Sequence, residues 1–147
     1  MPSDTCLAVI EKNGSFLLIA KRRGLGRGLL NFPGGKVEEG EEPEGCAVRE
    51  TLEEVKVRIK GLEKLGEIVF DHGELERVHV FLAEQIEGMP EETEEAVPFW
   101  LPYLPENNTW PDDVVWFTYV VLRKRFKCFF KFSDDWSEYY GGYCEVE

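Results

Sequence analysis

Eight glutamates crowd the stretch from Glu38 to Glu54, at positions 38, 39, 41, 42, 44, 50, 53 and 54, and Arg49 is the only base among them. On a helix turning 100° per residue with Glu50 at zero, Glu54 falls near about 40° and Glu53 near about 300°. Val48, Leu52 and Val55 fall near about 160°, 200° and 140°. The spacing therefore predicts one acidic face and one apolar face. Like charges four residues apart destabilise a helix by a few tenths of a kcal/mol, a cost that a bound divalent cation reverses. Three carboxylates on about one turn can supply the oxygen ligands of such an ion. The competing reading is a solvated acidic face on an acidic protein.

Other residue types narrow the chemistry. The four cysteines (Cys6, Cys46, Cys128, Cys144) lie far apart in sequence with no C-x-x-C pair, and the histidines are only His72 and His79. This spacing points away from zinc ribbons and disulfide scaffolds, and the cysteines are expected to be reduced and structural. A metal site must then be built from oxygen, which favours Mg²⁺ or Mn²⁺. His79, between Val78 and Val80, is expected to be an ordinary strand residue, and His72 lies in a loop. Seventeen Lys and Arg against 29 Asp and Glu give a net charge of -12. Such a chain repels nucleic-acid polymers. No apolar run approaches a membrane span and the start lacks a secretory signal, so a cytoplasmic protein is expected.

The elements that must position these residues can be read from pattern. The 147 residues suit a single domain, 1–147. TCLAVIE and SFLLIAKRR, joined by Lys12-Asn13-Gly14, predict an opening hairpin. Gly24, Gly26 and Gly28 lead to Asn31-Phe32-Pro33-Gly34-Gly35, a tight loop whose backbone must approach something closely. Pro43 in a first turn with Glu42 and Glu44 predicts a helix running to about Val55. Strands are expected at Gly66 to Asp71, Arg77 to Ile86 and Val97 to Leu101. Trp110-Pro111-Asp112-Asp113 opens a second helix to about Arg125, acidic at its start and basic at its end. A strand from Phe126 to Phe132 precedes an aromatic and acidic tail. The sum is an α/β (α+β) fold with a mixed sheet flanked by two helices.

Gly35, Glu41 after five intervening residues, Arg49-Glu50 after seven more, then Glu53-Glu54 and Val57 resemble the box that defines the Nudix hydrolase family. Two positions depart from it: Thr51 stands where a bulky apolar residue is usual, and Lys56 where glycine is. If position 56 needs a left-handed backbone, Lys costs about 1 kcal/mol there. The order Lys21-Arg22-Arg23, Asn31, Pro33 to Val37, Gly66 to Phe70, Val78 to Phe81, Glu95 with Trp100, Trp110 to Asp113 and Phe129 to Phe132 extends the resemblance over nearly the whole chain. Within the family it is most similar to the animal branch that hydrolyses oxidised purine nucleoside triphosphates.

The resemblance implies an α/β/α sandwich and a Mg²⁺-dependent pyrophosphohydrolase that turns 8-oxo-dGTP or 2-hydroxy-dATP into monophosphate and pyrophosphate. It implies Glu50, Glu53, Glu54, Glu95 and the Gly34 carbonyl as metal ligands, Arg49 as the residue that fixes the glutamates, and Glu53 as the group that positions or deprotonates water. Lys21, Arg23 and Lys36 would contact phosphates, along with Pro33 and Gly35. Asn31, Asp112 and Asp113 would read the base between Phe70, Trp110 and Pro111, with Thr5 or Cys6 beside them. Pro-Asp-Asp before an apolar run is also an ordinary helix start. The expected partner is a small nucleotide acting on a monomer, with no polymer and no membrane. The alternatives are a Nudix enzyme for dinucleoside polyphosphates, nucleotide sugars or unmodified triphosphates, and a nucleotide-binding module with weak catalysis.

Overall fold

The computed structural model describes residues 3–147, so Met1 and Pro2 of the expected domain lie outside the described residues. The strands are β1 (Ser3–Lys12), β2 (Ser15–Lys21), β3 (Leu30–Asn31) and β4 (Gly34–Lys36). After helix α1 (Pro43–Val55) come β5 (Arg58–Lys60), β6 (Glu63–Asp71), β7 (Leu75–Ala83), β8 (Gln85–Glu87) and β9 (Ala96–Leu101). Helix α2 (Asp113–Val121), β10 (Phe126–Phe132) and β11 (Tyr139–Val146) complete the order. The large sheet runs β11-β10-β6-β7-β1-β2-β3, with β4 on β1 and β9 on β2, while β5 and β8 form a separate pair. It is mixed: β1 lies parallel to β7 and β6 parallel to β10, whereas β6 and β7 are antiparallel.

The opening hairpin forms where Asn-Gly predicts it. Asn13 and Gly14 both have positive φ, 52° and 78°, as a two-residue turn matched to strand twist demands. β1 and β2 pair for only two residues, Glu11 with Phe16 and Lys12 with Ser15, and then part. β1 goes on to β7 and β4, and β2 to β3 and β9.

Alternation along β1 divides the core between two layers. Cys6, Ala8 and Ile10 join Cys46, Ala47 and Val55 of α1 in one buried cluster. Val9, with Leu7 packed against it, belongs to the other, which holds Trp116, Phe117 and Val120 of α2 with Phe126, Phe130 and Phe132 of β10. One helix thus covers each face of the sheet, as the expected α/β/α sandwich requires.

Several elements differ from the pattern reading. The strand expected at 77–86 is broken at Glu84 into β7 and β8. Helix α2 stops at Val121, before its expected basic end, and Arg123 takes a left-handed φ of 55°. Arg123 instead pairs with Glu11 of β1 and with Glu84 at the break between β7 and β8, so this cation serves ion pairs rather than the helix dipole. The aromatic and acidic tail contains β11, an edge strand antiparallel to β10. Its glycines and exposed side chains give no buried face to read.

The cysteines also depart from expectation. The fold brings them together as two disulfides, Cys6–Cys46 and Cys128–Cys144, with Cα atoms 6.3 and 4.0 Å apart. Cys128 and Cys144 are direct cross-strand partners in β10 and β11. Neither pairing is visible in sequence spacings of 40 and 16 residues, because packing of α1 on β1 creates the first and the register of β10 with β11 creates the second.

Candidate active site

The loop before α1 brings its backbone against that helix. Pro33 is buried and its carbonyl accepts a hydrogen bond from Ala8 N at 2.8 Å. A Cβ at Gly34 would run into the backbone carbonyl of Cys6, and one at Gly35 would occupy the place of the Glu50 carboxylate. The two glycines are thus required by close approach, the first by a strand and the second by a glutamate.

Arg49 is the hub of the carboxylate helix. Its Nε donates to Glu41 at 2.8 Å, Nη1 to Glu50 at 2.6 Å and to Glu53 at 3.4 Å, and Nη2 to the Lys36 carbonyl at 3.1 Å. The same guanidinium lies 3.1 Å from Glu38. Hydrogen bonding to Arg49 holds the Glu41 carboxyl down at about 2. One arginine therefore joins the loop acids Glu38 and Glu41 to the helix acids Glu50 and Glu53, and Glu41, a position of the box, gains a role there as its partner.

The acidic face does not follow the simple helical wheel. Glu54 is only 5% exposed and Thr51 is fully buried, whereas Glu53 is exposed. The face that packs on the sheet is set by Ala47, Thr51, Glu54 and Val55, so a carboxylate stands inside what was expected to be the apolar side. Glu54 accepts a hydrogen bond from Gly34 N at 3.0 Å. Burial pushes its carboxyl up to about 8; that bond opposes the shift, and the charges of Glu50 and Glu95 reinforce it. Burial also raises Glu50, with Glu53 and Glu95 adding to the effect against Arg49. Thr51 resolves its own departure from the Nudix box, since its hydroxyl donates to the Ala47 carbonyl at 2.8 Å and needs no other partner. Lys56 has the left-handed backbone that the box's glycine would favour, with φ 64° and ψ 26°.

Glu95 reaches this cluster through Thr93. The Thr93 hydroxyl donates to the Glu54 carbonyl at 2.7 Å and accepts from Glu95 N at 3.2 Å, while Arg22 N donates to the Glu95 carbonyl at 2.9 Å. Thr93 is a positioning residue with no sequence signal beyond being a threonine in a loop. Among the described residues no three His, Cys, Asp or Glu side chains are gathered into a ready-made cage. The donor chemistry nonetheless fits a divalent cation. Every candidate ligand is a hard oxygen, and the ionised forms of Glu50, Glu54 and Glu95 repel one another.

Beside the carboxylates, one cavity is lined by Lys21, Asn31, Gly34, Gly35 and Glu54 and also by Phe70, Glu76, Trp110, Asp112, Asp113 and Trp136. Arg23, Lys36 and Pro111 are exposed and do not line it. Asp112 and Asp113 are almost fully buried. Asp112 accepts from Trp116 Nε1 at 3.1 Å, and Asp113 from Trp110 N at 3.1 Å. Burial raises both, Asp112 to about 6, and the Asp112 charge and hydrogen bond push Asp113 further, so Asp113 is the one that keeps its proton. These residues start α2, but neither makes the side-chain cap that a plain helix start implies. Thr5 lies with Leu7 on the cavity side of β1, its hydroxyl on the Arg77 carbonyl at 3.5 Å, while Cys6 is drawn to the α1 layer. His79 is a buried strand residue bonded to Asp4 and Lys64.

A model described as the NUDIX domain matches residues 1–122. The chain belongs to the Nudix family. It is 44% identical over 133 residues to the oxidized purine nucleoside triphosphate hydrolase of Mus musculus, covering 87% of this chain and 85% of that protein. The corresponding protein of Danio rerio is 40% identical over 132 residues, covering 86% and 85%. Among solved structures, a MutT Nudix hydrolase from Burkholderia pseudomallei superposes with a TM-score of 0.67 at 29% identity, over 74% of this chain and 91% of that one. A MutT protein from Bacillus halodurans shares the fold at TM-score 0.82 and 23% identity, over 97% of each chain. Nudix hydrolases use divalent metal cations, in keeping with the donor set on α1. The Nudix match ends just after α2, so β10, β11 and Trp136 lie beyond it.

Proposed function

We propose that this Nudix chain is a Mg²⁺-dependent pyrophosphohydrolase that converts oxidised purine nucleoside triphosphates, such as 8-oxo-dGTP and 2-hydroxy-dATP, to monophosphate and pyrophosphate, removing them from the nucleotide pool. The observation that carries this reading is the buried pair Asp112 and Asp113 in an aromatic cavity that also takes in Glu54 of the carboxylate helix. A carboxyl that keeps its proton donates to a base oxygen or nitrogen, its ionised neighbour accepts from an N–H, and the Asn31 amide offers both. Together they read a modified purine edge, with Trp110 and Phe70 as walls. The two animal relatives are named for hydrolysing oxidised purine nucleoside triphosphates.

Lys21 at the cavity mouth, with Lys36 and Arg23 outside it, draws the phosphate chain toward α1. Glu50, Glu53, Glu54, Glu95 and the Gly34 carbonyl would hold the cation. Mg²⁺ bound there would neutralise the triphosphate and acidify water. Glu53, exposed and only loosely held by Arg49, is free to position the attacking water and take its proton. Arg49 keeps Glu50 and Glu53 oriented. The 147 residues act as one domain and as a monomer.

A pyrophosphate-release assay with Mg²⁺ tests this, comparing 8-oxo-dGTP and 2-hydroxy-dATP with dGTP, dATP and a dinucleoside polyphosphate. The expected result is selective turnover of the oxidised purines, reduced about 10²- to 10⁴-fold in Glu53→Gln. Preference for the dinucleotide, or activity that survives the substitution, would reject it.

A further inference from the structure

The polar groups lining the cavity are nearly all engaged. Asn31 Oδ1 accepts from Phe32 N, Asp112 from Trp116, Asp113 from Trp110 and Glu54 from Gly34, while Lys21 donates to the Leu25 carbonyl. Glu76 differs. Its side chain lines the cavity and is partly buried, yet among the described residues its carboxylate has no hydrogen bond and no ion pair. It stands directly opposite Phe70 across β6 and β7, so the two side chains lie on the same face of the sheet and the carboxylate sits beside an aromatic wall. Burial raises its pKa, with His72 and Lys36 opposing, but neither cation is bonded to it.

Trp136 also lines the cavity. It is held with a positive φ of 65°, and its ring meets Trp110 at 5.7 Å, Phe70 at 5.5 Å and His72 at 4.4 Å. A flat ligand placed among these rings presents an edge to Glu76. The carboxylate keeps its contact with water in the free protein, so a flat ligand that covers it must supply a donor such as an N–H in place of that water or bear the cost of desolvating it.

We propose that Glu76 is a specificity-determining residue: it accepts a hydrogen bond from an N–H or amino group on the edge of a bound purine, and so selects bases with a donor there over bases with only acceptors. This rests on the chain being a nucleoside triphosphate hydrolase and assigns the base contact on the sheet side, across the cavity from α2. Asp113 donates and Glu76 only accepts, so the two residues read opposite hydrogen-bonding characters.

The test is the ratio of kcat/KM within two substrate pairs that differ by a donor, 8-oxo-dGTP against dGTP at N7 and dGTP against dITP at the 2-amino group. Wild type, Glu76→Gln and Glu76→Met are compared, and melting curves confirm that each is folded. The expected result is that Glu76→Met lowers one of these ratios by roughly 10- to 100-fold, chiefly through KM for the donor-bearing member, while Glu76→Gln, which retains an acceptor oxygen, lowers it less. Ratios unchanged within about twofold, or an equal loss on every substrate, would overturn the assignment. Glu53→Gln is run in parallel. If activity survives that change the hydrolase reading itself fails, an outcome distinct from unchanged ratios in an enzyme that Glu53→Gln silences.

Discussion

Asp112 and Asp113 are two acids buried side by side, and the folded protein holds protons there that an unfolded chain releases above about pH 4. For a carboxyl raised in the folded state, the unfolded chain binds fewer protons in the window between the two pKa values, so stability falls as pH rises through it. That window runs from about pH 4 to beyond the Asp112 value of about 6. Asp113→Asn keeps the oxygen that accepts from Trp110 N and removes one titration. Its melting temperature is expected to decline less between pH 5 and 8 than that of the wild type. Parallel curves would refute the assigned proton. At this scale the sequence was legible where a motif spans many residues: Arg49, Glu50, Glu53 and Glu54 all follow from the box. It was silent on Thr93 and Trp136, whose roles depend on contacts between separate elements, and it placed Glu41 in the box without showing that Arg49 is its partner. Glu54 was read on the right helix but on the wrong face, since the wheel assigns acids to solvent and cannot know that Gly34 N waits beneath.

At the level of elements, α1 ends in a strained residue. Lys56 caps the helix with its N–H on the Leu52 carbonyl and a left-handed backbone, a conformation that costs a non-glycine residue about 1 kcal/mol. Lys56→Gly is therefore expected to stabilise the protein by about 1 kcal/mol, less whatever glycine adds to the entropy of the unfolded chain, with kcat/KM unaltered. Denaturant titration measures it, and a loss of stability would show that the Lys56 side chain contributes more than its backbone costs. Periodicity identified both helices and most of the long strands, because each of those strands carries a buried face. The short β3, β4 and β5 were hidden, since two or three residues hold no period, β8 was merged with β7, and β11 was missed because its side chains face solvent on an edge. The end of α2 was misread for a different reason. Arg123 to Arg125 suit a helix C-terminus locally, but ion pairing to Glu11 and Glu84 draws the chain away.

In the whole molecule the two layers differ in how they depend on the C-terminal strands. The cluster under α1 is built from β1, β2, α1 and their neighbours. The cluster under α2 contains Phe126, Phe130 and Phe132 of β10. Removing a buried phenylalanine typically costs about 3–5 kcal/mol, against a total stability of about 5–15 kcal/mol for a domain. A chain cut after Leu122 keeps every residue of the Nudix match, yet it is expected to show no cooperative unfolding by circular dichroism and no turnover. A folded, active fragment would contradict this division of the core. The net charge of -12 was the whole-molecule property most directly legible, and it fits a protein that meets its anionic substrate through a few local cations and a metal.

The parallel pairing of β6 with β10, Gly66 opposite Phe126 through Asp71 opposite Lys131, has a consequence in time. Parallel strands cannot be joined by a tight turn, and contacts between distant segments form slowly because the intervening chain must first be ordered. The glutamate helix and its glycine loop are local and can form early in synthesis. The wall carrying Phe132 and Trp136 is among the last parts to be made. A nascent chain therefore passes through an interval in which the carboxylate helix and the Asp112–Asp113 pair have been made but the core that holds them together has not, and the site matures only when β10 docks.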